Sequence, residues 1–222
     1  TMLKVCKFGG SSVAGAEQFR KVRDIVLSDD SRRVVVISAA GKRTSDDHKL
    51  TDLLYLCHAH LTYGVSCADI LAAIRSRFVS IRDELGLSYR VEDEFDAYAA
   101  TLSRDTSVDE LVSRGEYFTA RLMAETLGYA FVDAADCVFF GFDGQFDRAR
   151  TDAAIAAALE KSGKIVLPGF YGRVPTGKIK VMTRGGSDIT GALAAAAVNA
   201  DVYENWTDVS GILMADPRIV AN

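Results

Sequence analysis

Proline is scarce in this chain, three in 222 residues. With no linker, low-complexity tract or internal repeat either, the sequence shows no domain boundary. A run of lysine and arginine is also missing: the net charge is -4 and the pI about 5.4. That excludes the cationic footprint by which proteins neutralise nucleic-acid phosphates, so any phosphate bound here belongs to something small. Long hydrophobic runs are absent as well. Stretches such as "ALAAAAV" at 192–198 fall far short of the roughly 18 residues a membrane span needs. Lys4 and Lys7 interrupt the one N-terminal apolar segment, so no signal peptide is expected and the expected compartment is the cytoplasm. Cysteine is limited to Cys6, Cys57, Cys67 and Cys137 at irregular spacings, which reads as free thiols rather than disulfides. Cys57, His58, His60 and Cys67 invite a zinc reading. Neither Cys-x-x-Cys nor His-x-x-x-His spacing is present, however, and a helix that turns Leu53, Leu54, Cys57 and Leu61 inward and the histidines toward solvent accounts for the segment.

Two phosphate-loop signatures are missing too. No GxGxxG occurs. "GRVPTGK" at 172–178 begins like a Walker A loop, but Ile179 stands where the Mg²⁺-binding hydroxyl belongs, and Pro175 removes a backbone N–H from the loop. With "KIKVMT" after it, this stretch predicts a β-hairpin.

What is present is apolar substance in a regular alternation. Hydrophobic residues make up 49% of the chain, enough for a substantial core. Strand-like runs at 3–8, 34–39, 165–167 and 202–206 alternate with helical patterns at 15–28, 50–63 and 152–161, and the middle, 67–128, is rich in helix. This predicts an α/β layered fold with a largely parallel sheet, whose chemistry lies at the carboxyl ends of the strands.

Four segments there carry chemistry. "KFGGSS" at 7–12 is a strand-to-helix turn in which Gly9 and Gly10 let backbone N–H groups approach an anion while Lys7 adds a mobile full charge. "TRGGSDITGALAAAA" begins a second helix, with Ser187 or Asp188 expected as its N-cap. Arg184 precedes that turn, where a guanidinium suits a carboxylate or phosphate, and Asp188 is placed to orient Lys7. In "SRGEYFTARLMAETLG" Ser113-Arg114-Gly115-Glu116 is expected to head a helix, leaving Glu116 either to favour the helix terminus or to bind an ammonium group. In "NWTDVSGILMADPR" Thr207 and Asp208 end a strand, and Asp216-Pro217-Arg218 reads as turn chemistry. Two glycine turns, one with Lys7 and one with Arg184, Ser187 and Asp188, suggest two anionic ligands meeting between two strand ends and fit a kinase acting on a small acid, since phosphoryl transfer asks mainly for positioning and charge neutralisation.

Taken in order, "KFGGSS", "VVVISAAGK" with "TDLL", "SRGEYFTARLMAETLG", "PGFYG", "TRGGSDITGALAAAA" and "NWTDVSGILMADPR" resemble the aspartate kinases of the amino-acid kinase family. The resemblance implies a three-layer α/β/α sandwich and phosphorylation of the L-aspartate side chain by ATP with Mg²⁺. It implies one catalytic domain over 1–222, incomplete on its C-terminal side and without an ACT regulatory domain, in a homodimer or higher homo-oligomer. By the same resemblance Lys7 neutralises the transferring group and Asp188 holds Lys7. Thr51, Glu116, Arg184 and Ser187 bind the acid, with Glu116 on its amino group. Gly9, Gly10, Ser11, Thr207, Asp208, Leu213 and Arg218 fall on the nucleotide side, and no protein metal ligand is implied. Leu213 stands where family members commonly carry tyrosine. The alternatives are a sibling kinase for another acid and a binding module without turnover.

Overall fold

In the computed structural model, which describes residues 1–183, 185–209 and 214–218, the strand signals become one sheet. Strands β1 (Lys4–Phe8), β2 (Arg32–Ile37), β3 (Ala130–Phe131), β4 (Ile165–Pro168), β7 (Val202–Asp208) and β8 (Met214–Arg218) lie in the order β3-β4-β2-β1-β7-β8. All are parallel except β8, which runs antiparallel to β7 at one edge. The hairpin expected around 172–181 is present as β5 (Tyr171–Arg173) and β6 (Ile179–Val181), with Gly177 in the left-handed region at its tip. Seven helices are described: α1 (Ala16–Leu27), α2 (Leu50–Thr62), α3 (Ala68–Leu85), α4 (Val91–Ala99), α5 (Val108–Leu127), α6 (Arg148–Ser162) and α7 (Gly186–Ala197). None is long and apolar enough to cross a membrane.

Strand alternation sorts the two faces. Cys6, Phe8, Val35, Ile37, Val166 and Trp206 join α1 to α5 in one core, while Val5, Val34, Val36, Ile165, Leu167 and Tyr203 join α6 and α7 in the other. Consecutive residues of a strand point to opposite faces, so a sheet covered on both sides needs the near-continuous apolar run that β2 shows. The result is the three-layer α/β/α sandwich. In α2, Leu54 and Cys57 are buried and Leu53 and Leu61 pack against the same core. The histidines are half-buried rather than solvated, because the ring nitrogens of His58 and His60 lie 3.0 Å from the carbonyls of Thr106 and Ser66.

Three local expectations are corrected. Helix α5 starts about one and a half turns earlier than expected, at Val108, because Ser107 caps it by accepting from Glu110 N–H; this is the Ser-x-x-Glu signature of a helix start. Ser113 to Glu116 therefore lie in the helix interior, and Glu116 owes nothing to a terminus. Helix α7 is capped not by Ser187 or Asp188 but by Gly185, whose φ of 62° only glycine adopts readily. Residues 214–218 form the strand β8 instead of a turn; at a sheet edge one side of the ladder is unpaired, which is where a strand tolerates proline.

Candidate active site

The chain leaves β1 toward β2 on one side and returns to β7 on the other, so the strand order reverses around β1. Such a reversal opens a crevice at the carboxyl ends of the strands. After Phe8 the chain turns through Gly9 to Ser11, pinned to the end of β7: Gly9 N–H donates to Trp206 O at 3.3 Å and Ser11 Oγ to Thr207 O at 3.3 Å. A short 3-10 turn over Gly10–Val13 precedes α1, so the helix does not follow the glycine pair directly. The loop after β2 meets this turn backbone to backbone. Gly41 N–H donates to Gly10 O at 2.9 Å, and a Cβ at Gly10 would lie 2.9 Å from Ala39 O. Neither loop leaves space for a side chain at the crossing.

Lys7 faces the α7 layer, as its place in the alternation of β1 requires. Its Nζ lies 2.7 Å from Asp188 Oδ1, with 12% of the lysine side chain exposed against 53% of the aspartate. Asn205 is the register partner of Lys7 in β7 and donates through Nδ2 to the same Oδ1 at 3.1 Å. Asn205 Oδ1 is buried without a partner. One residue earlier in α7, Ser187 Oγ lies 2.8 Å from Ser38 Oγ. Gly169, beyond β4, completes this corner, since a Cβ there would lie 2.7 Å from Ser187 Oγ. Next to it Phe170 adopts φ 84°, a conformation that costs a bulky residue free energy. It is held by its N–H donating to Thr190 Oγ1 and its carbonyl accepting from Met182 N–H.

On the other side of the two glycine loops is a 440 Å³ cavity lined by Gly10, Ser11, Ser38, Ala39, Ala40, Gly41, Lys42, Lys49, Thr51 and Glu116. Glu116 enters it from the middle of α5, which packs close because a Cβ at Gly115 would lie 3.1 Å from Ala39 Cβ and Leu54 Cδ1. The Glu116 side chain is buried and its Oε2 has no hydrogen-bond partner. Burial pushes its carboxyl up to about 8, only partly opposed by backbone N–H groups and the Arg114 charge. A buried carboxylate with a free oxygen facing a cavity is completed by a cationic ligand.

The fold thus brings together Lys7 with Asp188, and Gly10, Ser11, Thr51 and Glu116 around one cavity. Ser38 links Ser187 to that cavity, and Ser11 links Thr207 to it. Gly9 abuts Lys7, for a Cβ there would lie 3.5 Å from Nζ. Asp208 and Arg218 stand at the ends of β7 and β8, and Arg184 and Leu213 lie outside the described residues. Sequence reasoning missed Ser38, Gly41, Gly169 and Asn205. All four lie inside segments quoted for the resemblance, and none was singled out there; Asn205 stands beside Glu204 as one of two polar residues within the otherwise apolar run at 202–206 of β7. Among the described residues no group of three His, Cys, Asp or Glu could hold a metal ion. A second hollow of 490 Å³ lies between the start of α5 and the β5–β6 hairpin, where Arg114, Arg173 and Lys178 are balanced by Asp105, Glu110 and Asp133. None of the glycine loops reaches it.

Comparison with known proteins agrees with the fold. Residues 2–222 match the family model described as the amino acid kinase family. Aspartokinase 3 of Bacillus subtilis (strain 168) is 33% identical over 99% of this chain and 52% of its own length. The lysine-sensitive aspartokinase 3 of Escherichia coli (strain K12) is 34% identical over 98% of this chain and 51% of its own length. Among solved structures, an aspartate kinase of Clostridium acetobutylicum superposes with a TM-score of 0.90 at 42% identity, covering 96% of this chain and 49% of that one. E. coli aspartokinase III, crystallised with aspartate and ADP, superposes with a TM-score of 0.76 at 30% identity, covering 93% and 49%. The chain spans about half the length of the curated relatives it matches.

Proposed function

The chain belongs to the amino acid kinase family, and from that premise we propose that the protein carrying it is an aspartate kinase, converting L-aspartate and ATP to 4-phospho-L-aspartate and ADP on the way to lysine, threonine and methionine. One observation carries the choice of acceptor: the buried, unpartnered Oε2 of Glu116 in the cavity at the carboxyl ends of the strands. An acid with a free ammonium group completes that oxygen, whereas an N-acylated acid does not. The aspartate and ADP held by one relative of known structure support the same reading.

The residues divide the work on physical grounds. Glu116 takes the ammonium, with Thr51 and Ser187 hydrogen-bonding to the acid and Arg184 gripping its α-carboxylate. The side-chain carboxylate of aspartate is already ionised at neutral pH, so no residue is needed as a base. ATP, when bound with Mg²⁺, supplies the phosphoryl group. The glycine turn fits such a ligand: with no side chain at Gly9, where a Cβ would lie 3.5 Å from Lys7 Nζ, an anion can come close to both the lysine and the turn backbone. Lys7 neutralises charge developing on the transferred oxygens, and Asp188 with Asn205 holds its ammonium in place. Gly9 keeps the turn clear beside Lys7, Gly10 and Ser11 offer N–H groups to the phosphates, and Thr207, Asp208, Leu213 and Arg218 are assigned to the nucleotide side. Mg²⁺ would enter with the nucleotide, bridging its phosphates. The same reading carries a homodimer or higher homo-oligomer, measurable by sedimentation.

The test is ADP release by the longest expressible form of the protein with Mg-ATP and aspartate, glutamate or N-acetylglutamate. Aspartate-dependent release is expected. Release with another acid alone moves the reading to a sibling kinase, and none with any acid leaves a binding module.

A further inference from the structure

Arg77 in α3 is buried, 4% exposed, and beside an ion pair with Asp47 at 3.6 Å its guanidinium serves the backbone of other segments. It donates to three backbone carbonyls on two separate segments. Nη2 reaches Ala14 O at 3.1 Å and Gly41 O at 2.7 Å, and Nη1 reaches His48 O at 2.9 Å. Ala14 closes the turn after β1 that begins with the glycine pair. Gly41 opens the loop that follows β2, and His48 closes it, directly before Lys49 and Thr51 of the cavity wall. The loop has an internal brace as well: Asp47 accepts from Arg43 N–H at 2.9 Å and from its guanidinium at 2.7 and 3.0 Å, and lies 3.6 Å from Arg77 Nη1. The neighbours of Arg77 in α3, Ile74, Phe78 and Ile81, are anchored in the core. The fork is therefore fixed at its base while its tip ties two loops together.

We propose that Arg77 is a positioning residue for the acceptor site: it sets the separation between the glycine turn after β1 and the loop at 41–49, and through it the placement of Thr51 opposite Glu116. This rests on the reading of the cavity as an aspartate site. The physical reason is geometric. Three carbonyls converge on one planar donor, a fit that the single ammonium of lysine cannot reproduce, and without it three buried acceptors lose their partner. Gly41 lines the cavity and His48 precedes Lys49 of its wall, whereas none of the three carbonyls belongs to the Lys7–Asp188 pair, so their loss displaces binding groups, and the acceptor is bound less well while the chemistry is largely spared.

The test uses Arg77→Met and Arg77→Lys in the full protein that carries this chain, with two readouts. Steady-state kinetics are expected to show KM for aspartate raised about tenfold or more in Arg77→Met, with kcat changed less than about threefold and Arg77→Lys in between. Limited trypsin digestion is expected to cleave after Lys42, Arg43 and Lys49 at least about tenfold faster in Arg77→Met, with cleavage after Lys161 of α6 unchanged. An unchanged KM for aspartate in both variants, or cleavage that accelerates equally at every site, would overturn the proposal. If Arg77→Met fails to fold, the same two readouts on Arg77→Lys decide. If the wild-type protein turns over no aspartate, it is the functional reading that fails, and the tryptic ratio alone decides whether Arg77 tethers the loop.

Discussion

Replacing Glu116 by glutamine removes one charge from the cavity wall while keeping its shape. In the empty cavity burial raises the carboxyl from 4.5 to about 8, so its ionisation in the folded chain is opposed by about 4 to 5 kcal/mol. The unfolded chain releases this proton near its ordinary value and the folded chain keeps it until about 8, so the folded state loses stability as pH rises through that window. The loss is absent below the window and complete above it. Glutamine has no proton to lose. Its amide meets the same unpartnered surroundings at every pH, which adds a constant offset but no slope. The difference in melting temperature between Glu116→Gln and wild type should therefore rise by on the order of 10 °C between about pH 4.5 and pH 8.5 in favour of the variant, at roughly 2–4 °C per kcal/mol for a chain of this size. Aspartate should reverse the order. Pairing with its ammonium needs the ionised carboxylate, so wild-type affinity should strengthen up to about tenfold per pH unit on approach to pH 8, while the variant binds weakly and evenly. Scanning calorimetry and aspartate titrations across this range check both halves. A melting difference and an affinity that are both flat with pH would refute the reasoning.

Three further outcomes follow from the geometry. Lys7→Ala and Asp188→Ala should each lower kcat by about 10²–10³-fold with little change in melting temperature, and wild-type turnover in either would remove the pair from the mechanism. Gly10→Ala places a Cβ 2.9 Å from Ala39 O where two backbones cross, and chemical denaturation should show a loss of about 1–3 kcal/mol; an unchanged midpoint would mean that the crossing is not tight. Arg32 donates to Glu204 from Nε and Nη2 at 2.7 and 3.1 Å, with 13% and 8% of the two side chains exposed. Arg32→Met should cost about 3–5 kcal/mol by stranding the carboxylate, whereas Arg32→Met with Glu204→Leu should recover most of that. Additive losses in the double variant would count against a coupled buried pair.

Much of the fold was legible because it is written locally. Four of the five parallel strands, the hairpin at 171–181 and the helices of the middle segment follow from apolar period and turn chemistry, which act between near neighbours. The two-residue β3 has too few residues to carry a period. The start of α5 was misplaced because the glycine in Ser113-Arg114-Gly115-Glu116 resembles a helix boundary, while the capping serine stood six residues before Ser113. The role of Gly115 is instead tertiary, clearance for Ala39 and Leu54.

The sequence by itself determined the α/β class, the two glycine turns and the residue types of the site, since a lysine beside glycines and an aspartate at a helix start each have a local chemical meaning. Only the tertiary structure decided how they combine. Lys7 meets Asp188 and Asn205 because β1 pairs with β7 and α7 lies across that face. Glu116 is a buried carboxyl in the cavity wall rather than a helix-end charge because α5 carries it under the loop after β2, away from water. Arg77 joins the site from a helix whose sequence shows only an amphipathic pattern. Chain-distant partners and desolvation are set by packing between elements, and no local pattern encodes them.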